Sequence, residues 1–267
     1  MQPVIHTEAW LLPHLDPILV SVGPIALRWY GLMYLLGFCF ALWQAKRQAS
    51  QPKSGWHSGE VETLLHACFF GLFLGGRLGY TLVYQYPTFV TDPLSVLRIW
   101  EGGMSFHGGL VGVILALGWF ARLTQRPFLL VADFIAPWVP VGLGLGRIGN
   151  FINGELWGRV TGVPWAVIFP QAGPWPRHPS QLYEALLEGV LLFLLLQHFR
   201  HPARPTGTLS GLFLCGYGCL RFIVEYYREP DPQCAALVAT LTMGQQLSLP
   251  MIIAGLTLLV LAYRRSS

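Results

Sequence analysis

Seven long apolar stretches separated by polar connections dominate the chain: about 23 to 44, 60 to 81, 104 to 122, 130 to 149, 180 to 198, 207 to 226 and 246 to 263. A helix that crosses the hydrocarbon of a bilayer needs roughly 20 mostly apolar residues. The pattern predicts an all-α polytopic membrane protein of about seven transmembrane helices, with residues 1–267 forming a single domain. No internal repeat stands out, which weakens a transporter built from inverted repeats, whose halves should resemble each other. Gly71, Gly75 and Gly79 in one stretch, and Gly142, Gly144 and Gly146 in another, predict close approach between helices. The connection 150 to 179 is long and rich in Trp, Pro and Gly, so a small outer cap is expected there, with Trp157, Trp165 and Trp175 suited to the membrane interface.

Composition agrees with the membrane setting, since 53% of the residues are hydrophobic and 11% charged. The basic residues add an orientation. Lys46, Arg47 and Lys53 follow the first stretch, Arg122 and Arg126 the third, Arg200 and Arg204 the fifth, and Arg264 and Arg265 the seventh. These positions fall on one side of the membrane, which the positive-inside rule makes cytoplasmic. The N-terminus and the connections 82 to 103, 150 to 179 and 227 to 245 are then outside, and the C-terminus inside. The net charge of +4 is mostly explained by the inside clusters, so no nucleic-acid partner is implied. The first twenty residues have no basic leader and contain Pro3, Glu8, Pro13, Asp16 and Pro17, so they do not read as a cleaved signal peptide, and the first spanning helix is expected to direct insertion. The cysteines show neither close pairs nor zinc-site spacing: Cys39, Cys68, Cys215 and Cys219 read as small packing residues, and Cys234 lies on an outer connection.

The candidate chemistry begins where the fourth apolar stretch ends. Arg147, Asn150, Asn153, Glu155 and Arg159 appear abruptly in Gly-Arg-Ile-Gly-Asn-Phe-Ile-Asn-Gly-Glu-Leu-Trp-Gly-Arg, residues 146 to 159. Polar groups at the edge of a membrane segment are costly and point to function. Four glycines in the run let the backbone leave helical geometry, and Arg147 offers a planar fork of donors suited to phosphate. Gly144, Gly146 and Gly149 satisfy a dinucleotide-binding spacing, but no acidic residue follows about 20 positions later, where Phe169 stands. Arg28, Arg77, Asp133, Glu184, Glu188, Arg221 and Glu225 also lie in or beside the apolar stretches, and must be paired or line a wet cavity. Arg221 and Glu225, four apart, either satisfy each other or leave Arg221 free to converge with Arg147 on one phosphate. His107, flanked by Gly108, Gly109 and Gly112, reads either as a capping residue or as a base, its unperturbed pKa being suited to proton removal near neutrality.

Four separated motifs carry a resemblance: residues 146 to 159, Phe-His-Gly-Gly-Leu at 106 to 110, Arg-His-Pro-Ser-Gln-Leu-Tyr-Glu at 177 to 184, and Arg-Phe-Ile-Val-Glu-Tyr-Tyr-Arg-Glu-Pro-Asp at 221 to 231. Together with Arg28-Trp29-Tyr30-Gly31 they resemble the prolipoprotein diacylglyceryl transferases over nearly the whole chain. The resemblance implies a bacterial inner-membrane enzyme. It would move the diacylglyceryl group of phosphatidylglycerol to the thiol of the lipobox cysteine in a prolipoprotein signal peptide, forming a thioether and releasing glycerol phosphate at the periplasmic face. No metal or cofactor is implied.

On that resemblance His107 matches the family's essential histidine, and Arg147 and Arg221 the arginines that hold the lipid phosphate. The proton acceptor stays open between His107, a water and Glu155. Tyr30, Asn150, Asn153, Glu155, Gly158, Tyr217, Glu225 and Arg228 fall in matching motifs and are expected to bind the head group and orient the arginines; Tyr30 and Tyr217 also suit a bland interfacial role. His178, Ser180 and Tyr183 open the fifth stretch, where Pro179 suits the first helical position. The rival class, an anion carrier lined by Arg77, Arg147 and Arg221, would need access from both faces. The polar residues instead gather at the outer ends, apart from Glu62, His66 and Asp133.

Overall fold

The computed structural model describes residues 10–13, 16–22, 25–52, 54–98, 102–201, 203–230 and 241–265. Pro3, Glu8, Lys53, Asp231 and Cys234 lie outside the described residues. The backbone is overwhelmingly helical, and five helices are long and apolar enough to cross a membrane: Ser58–Tyr84, Phe106–Leu123, Phe128–Ile152, Ser180–Phe199 and Met243–Arg264. Their outward positions, such as Phe70, Leu74, Leu115, Leu186, Leu194 and Ile253, are exposed large hydrophobics, as lipid contact demands. Two further helices coincide with expected stretches but fall short of that test. Thr208–Val224 has 17 residues, and Trp29–Ala49 ends on Gln44, Lys46, Arg47 and Gln48. The chain is therefore a polytopic helical membrane protein.

The first stretch begins later than expected. Ile25–Arg28 is a strand (β3) paired antiparallel with Ile18–Val22 (β2), so helix α1 starts at Trp29 and runs to Ala49. Arg28 thus closes a strand rather than opening a helix.

Two compact units divide the chain. One is Leu42–Phe134. In it, helices α2 (Ser58–Tyr84) and α4 (Phe106–Leu123) run antiparallel at backbone contact. A methyl group at Gly79 would lie 2.8 Å from the Gly108 Cα, and one at Gly71 2.9 Å from the Gly112 carbonyl carbon. The glycine spacing predicted this close approach. A short helix, α3 (Tyr86–Thr91), and a 3-10 turn (Pro93–Leu97) connect the pair. At the basic end, Trp56 stacks on Phe134 with centroids 4.0 Å apart. The Arg126 guanidinium lies over that indole at 4.1 Å while bonding Glu60 at 2.8 Å.

The other unit is Met1–Ala41 with Ile135–Ser267. Between α5 (Phe128–Ile135) and α6 (Val139–Ile152) lies a 3-10 turn, because Pro137 and Pro140 remove the donors an α-helix would need there. Helix α7 (Ser180–Glu184) passes into a π-helical segment (Ala185–Leu191) and then α8 (Leu192–Phe199). Glycines again set the spacing: a methyl at Gly189 would lie 2.8 Å from the Gly144 Cα. Helix α9 (Thr208–Val224) packs on α10 (Met243–Arg264) through Gly211, Gly218 and Gly255. The expected cap at 150–179 forms around a three-stranded sheet: β1 (Trp10–Leu11) pairs parallel with β4 (Val167–Ile168), which pairs antiparallel with β5 (Pro176–Arg177). Leu12, Val167 and Phe169 are its core, with Phe151 and Trp157 packed against them. Trp157 therefore serves the cap interior, whereas Trp165 and Trp175 remain exposed.

Candidate active site

Helix α6 continues through the informative run to Ile152, further than its glycine content suggests. Gly146 and Gly149 stay helical, and their missing side chains make room for tyrosines. A methyl at Gly149 would lie 3.2 Å from the Tyr30 ring, and Tyr34 sits against Gly146. Only after the helix does the backbone turn left-handed, at Gly154 (φ 66°) and Leu156 (φ 59°).

Three arginines converge on one carboxylate. Arg147 of α6 places Nε 2.7 Å from Glu184 Oε2. Arg221 of α9 donates from Nη1 to Glu184 Oε1, and Arg228, just beyond α9, donates to the same oxygen at 3.0 Å. Glu184 is fully buried at the end of α7. Arg221 also forms an ion pair with Glu225, Nη2 to Oε2 at 2.7 Å, and lies 3.8 Å from Glu188. Arg221 thus pairs with Glu225 and also meets Arg147, but the group on which the two arginines converge here is the Glu184 carboxylate. A guanidinium has five N–H donors, so each arginine keeps donors beyond those spent on carboxylates. Arg147 retains the most exposed side chain of the three, 21% against 14% for Arg221 and Arg228.

A second layer fixes Arg147. Its Nη1 donates to Asn150 Oδ1 at 3.4 Å, and Asn150 and Asn153 both donate to Glu155 Oε1, at 3.0 and 3.2 Å. The buried Gln181 amide donates to the Glu155 carbonyl at 2.6 Å, tying the loop after α6 to the start of α7. Tyr30 and Tyr34 share a hydrogen bond at 3.1 Å. Tyr217 lies one turn before Arg221, its ring stacked on Phe213.

Gly158 is where three segments cross. Its N–H donates to the His178 carbonyl at 2.9 Å, and Arg159 N–H donates to the Tyr227 carbonyl at 2.9 Å. A methyl at Gly158 would lie 2.5 and 2.6 Å from those same two carbonyl oxygens, so only glycine fits. Arg177 braces the crossing by bonding the Gly158 carbonyl and Glu229. Beside it the Trp165 indole donates to the Tyr183 hydroxyl, which is 3.1 Å from His178 Nδ1. Burial holds the His178 imidazole below its usual pKa. Pro179 is the cap residue of α7 rather than its first helical position, which Ser180 takes, its hydroxyl donating to the Leu156 carbonyl.

His107 belongs to the other unit. It is the second residue of α4, exposed, with its ring edge-on to Phe106. Capping of that helix falls instead to Ser105, whose hydroxyl accepts from Gly108 N–H at 3.2 Å.

The residues that sequence reasoning did not assign to the site are Glu184, Glu188, Gln181 and Tyr34. Two of them, Glu184 and Glu188, carried a visible signal as acids in an apolar stretch.

Comparison with known proteins matches the chain to the prolipoprotein diacylglyceryl transferases, whose family model covers residues 17–261. The chain belongs to that family. The phosphatidylglycerol--prolipoprotein diacylglyceryl transferases of Vibrio parahaemolyticus serotype O3:K6 and Vibrio cholerae serotype O1 are each 58% identical to it over 253 residues, covering 95% of this chain and 93% of theirs. That of Vibrio vulnificus strain YJ016 is 59% identical with the same coverage. The apolar helices make this transferase a membrane enzyme, and the arginine cluster lies within the matched region.

Proposed function

We infer that this chain transfers the diacylglyceryl group of phosphatidylglycerol to a prolipoprotein, the first step of bacterial lipoprotein maturation. The observation that carries the reading is the convergence of Arg147, Arg221 and Arg228 in a chain that matches the family from residue 17 to 261.

The acceptor is the lipobox cysteine at the end of the signal peptide. Its thiolate attacks the glyceryl carbon bonded to the phosphate oxygen. A C–S bond forms, the C–O bond breaks, and the electron pair leaves on glycerol phosphate, so a phosphodiester of one negative charge becomes a monoester tending to two. Arg147 and Arg221 stand preorganised for that gain in charge, which is when fixed donors lower a barrier most. Glu184 and Glu225 hold Arg221 in place, Arg228 is oriented through the same Glu184 oxygen, and Asn150, Asn153 and Glu155 hold Arg147. Tyr30 and Tyr217 flank the cluster and suit the glycerol head group, while Gly158 locks the loop behind it. His107 takes the thiol proton, since a thiol is a poor nucleophile until ionised.

The whole chain acts as one catalytic domain, spanning seven times. It resides in the bacterial inner membrane with the N-terminus and cap periplasmic and the C-terminus cytoplasmic, a topology supported by the placement of the basic residues.

The test is transfer of a radiolabelled diacylglyceryl group from phosphatidylglycerol to a lipobox peptide by the purified chain. Arg147→Ala is expected to lower kcat/KM by about 100-fold or more, as loss of a transition-state donor does, and His107→Gln by about 100–10,000-fold, the range of general-base catalysis. No transfer by the folded intact chain would refute the reading.

A further inference from the structure

Arg77 lies within α2, only 3% exposed, and the mechanism above does not use it. A guanidinium buried in an apolar helix must have its donors satisfied, and those of Arg77 are satisfied in an unusual way. Nε donates to the Val96 carbonyl at 3.0 Å, and Nη2 to those of Ser95 and Arg98, both at 2.8 Å. Nη1 donates to the Gly102 carbonyl and to that of Gly103 at 3.3 Å. Among the described residues, its hydrogen-bond partners are all main-chain carbonyls of the segment that leads into α4.

The neighbours of Arg77 on α2 hold the residues that come next. The Gly76 carbonyl accepts from Ser105 N–H at 2.8 Å. The Tyr80 ring sits where a side chain on Gly103 (φ 82°) would stand, with the Arg77 guanidinium 6.0 Å from its centroid. Gly79 meets the backbone of Gly108. Residues 102–108 are therefore pinned to α2 on both sides of His107, whose own side chain is exposed and contributes little to its placement.

We propose that Arg77 is a positioning residue for the transfer reaction, gathering five carbonyls so that the turn before α4 is fixed and the His107 ring is held where the thiol proton must be taken. The proposal rests on His107 being the base. Lysine cannot replace Arg77, because it offers three donors on a point charge rather than five in a planar fork.

The test is a mutant cycle on the full chain in detergent with phosphatidylglycerol and a lipobox peptide. Arg77→Lys and Gly103→Ala are each combined with His107→Gln, and thermal unfolding is followed alongside. Arg77→Lys is expected to lower kcat by about 10–100-fold, the scale of a misplaced catalytic group, with KM for phosphatidylglycerol within about twofold. Gly103→Ala attacks the same link from the loop side, is expected to do likewise, and serves alone if Arg77→Lys does not fold. In the His107→Gln background each should cost less than about twofold more, because the group they position is gone. An equal loss in both backgrounds, or an unchanged kcat in the folded single variants, would overturn the role of Arg77 alone. Wild-type turnover by His107→Gln would overturn the base reading and this proposal with it.

Discussion

Glu184 and Glu188 stand one helical turn apart, 0% and 1% exposed, yet their surroundings differ. Glu184 receives three arginines from three places in the chain at close ion-pair distance, whereas among the described residues Glu188 meets Arg221 at 3.8 Å and neither of its oxygens has a hydrogen-bond partner. Removing one member of a buried, hydrogen-bonded ion cluster leaves charge uncompensated and costs about 3–5 kcal/mol. Glu184→Gln should therefore lower the unfolding temperature markedly and abolish transfer. Glu188→Gln leaves Arg221 its bonds to Glu184 and Glu225, and should cost about 1 kcal/mol or less, the scale of a single net hydrogen bond. Thermal unfolding and transfer measured on both variants check this, and equal losses would refute the contrast. The difference was hidden in the sequence, where both are simply acids in an apolar run. Arg147 and Arg221 were legible because a guanidinium at a membrane edge points to an anion. The identity of their partner was not, because it depends on contacts between residues 37 or more positions apart.

At the scale of elements, glycine sets the distance between helices, and so the reach of the arginines. A methyl at Gly189 would lie 2.8 Å from the Gly144 Cα, and main chain cannot step aside as a flexible side chain would. Gly189→Ala is expected to push α6 away from the π-helical segment, weaken the Arg147–Glu184 contact, cost about 1–3 kcal/mol as overpacking does, and reduce transfer at least tenfold. Gly118 in α4 has nothing within 4 Å of where a methyl would stand, so Gly118→Ala should be neutral or stabilising by up to about 1 kcal/mol, the helix preference for alanine. Unfolding and transfer assays on the pair decide the matter, and similar behaviour of the two would refute it. Helix positions were legible because apolar runs of spanning length leave little choice. The β2–β3 ladder was not, since Ile18–Val22 and Ile25–Arg28 are as apolar as the helix that follows. The π-helical stretch at Ala185–Leu191 has no local signature either; it sits where Gly189 meets Gly144, a contact only the folded chain makes.

For the whole molecule the open physical question is which end faces which compartment, and charge supplies the argument. Both lysines, with Arg47, Arg122, Arg126, Arg200, Arg204, Arg264 and Arg265, follow the first, third, fifth and seventh apolar stretches. Basic residues close to helix ends resist translocation, and the proposed orientation therefore takes this side as the cytoplasmic one. Arginines occur on the other side too, but those of the cap have structural work there: Arg159 bonds the Arg228 carbonyl at 2.9 Å, and Arg177 bonds Glu229 at 3.2 Å. Such residues hold the cap together and do not contradict the bias. The reading predicts opposite accessibility at two exposed positions, Ser50 after α1 and Pro174 in the cap. In a background with the five cysteines replaced, Pro174→Cys should react with a membrane-impermeant maleimide in cells whose outer membrane alone is opened, and Ser50→Cys only after the inner membrane is breached. The reverse pattern would place the arginine cluster's neighbouring cap in the cytoplasm, away from a prolipoprotein cysteine emerging on the far side, and would force both the orientation and the route of the acceptor to be redrawn.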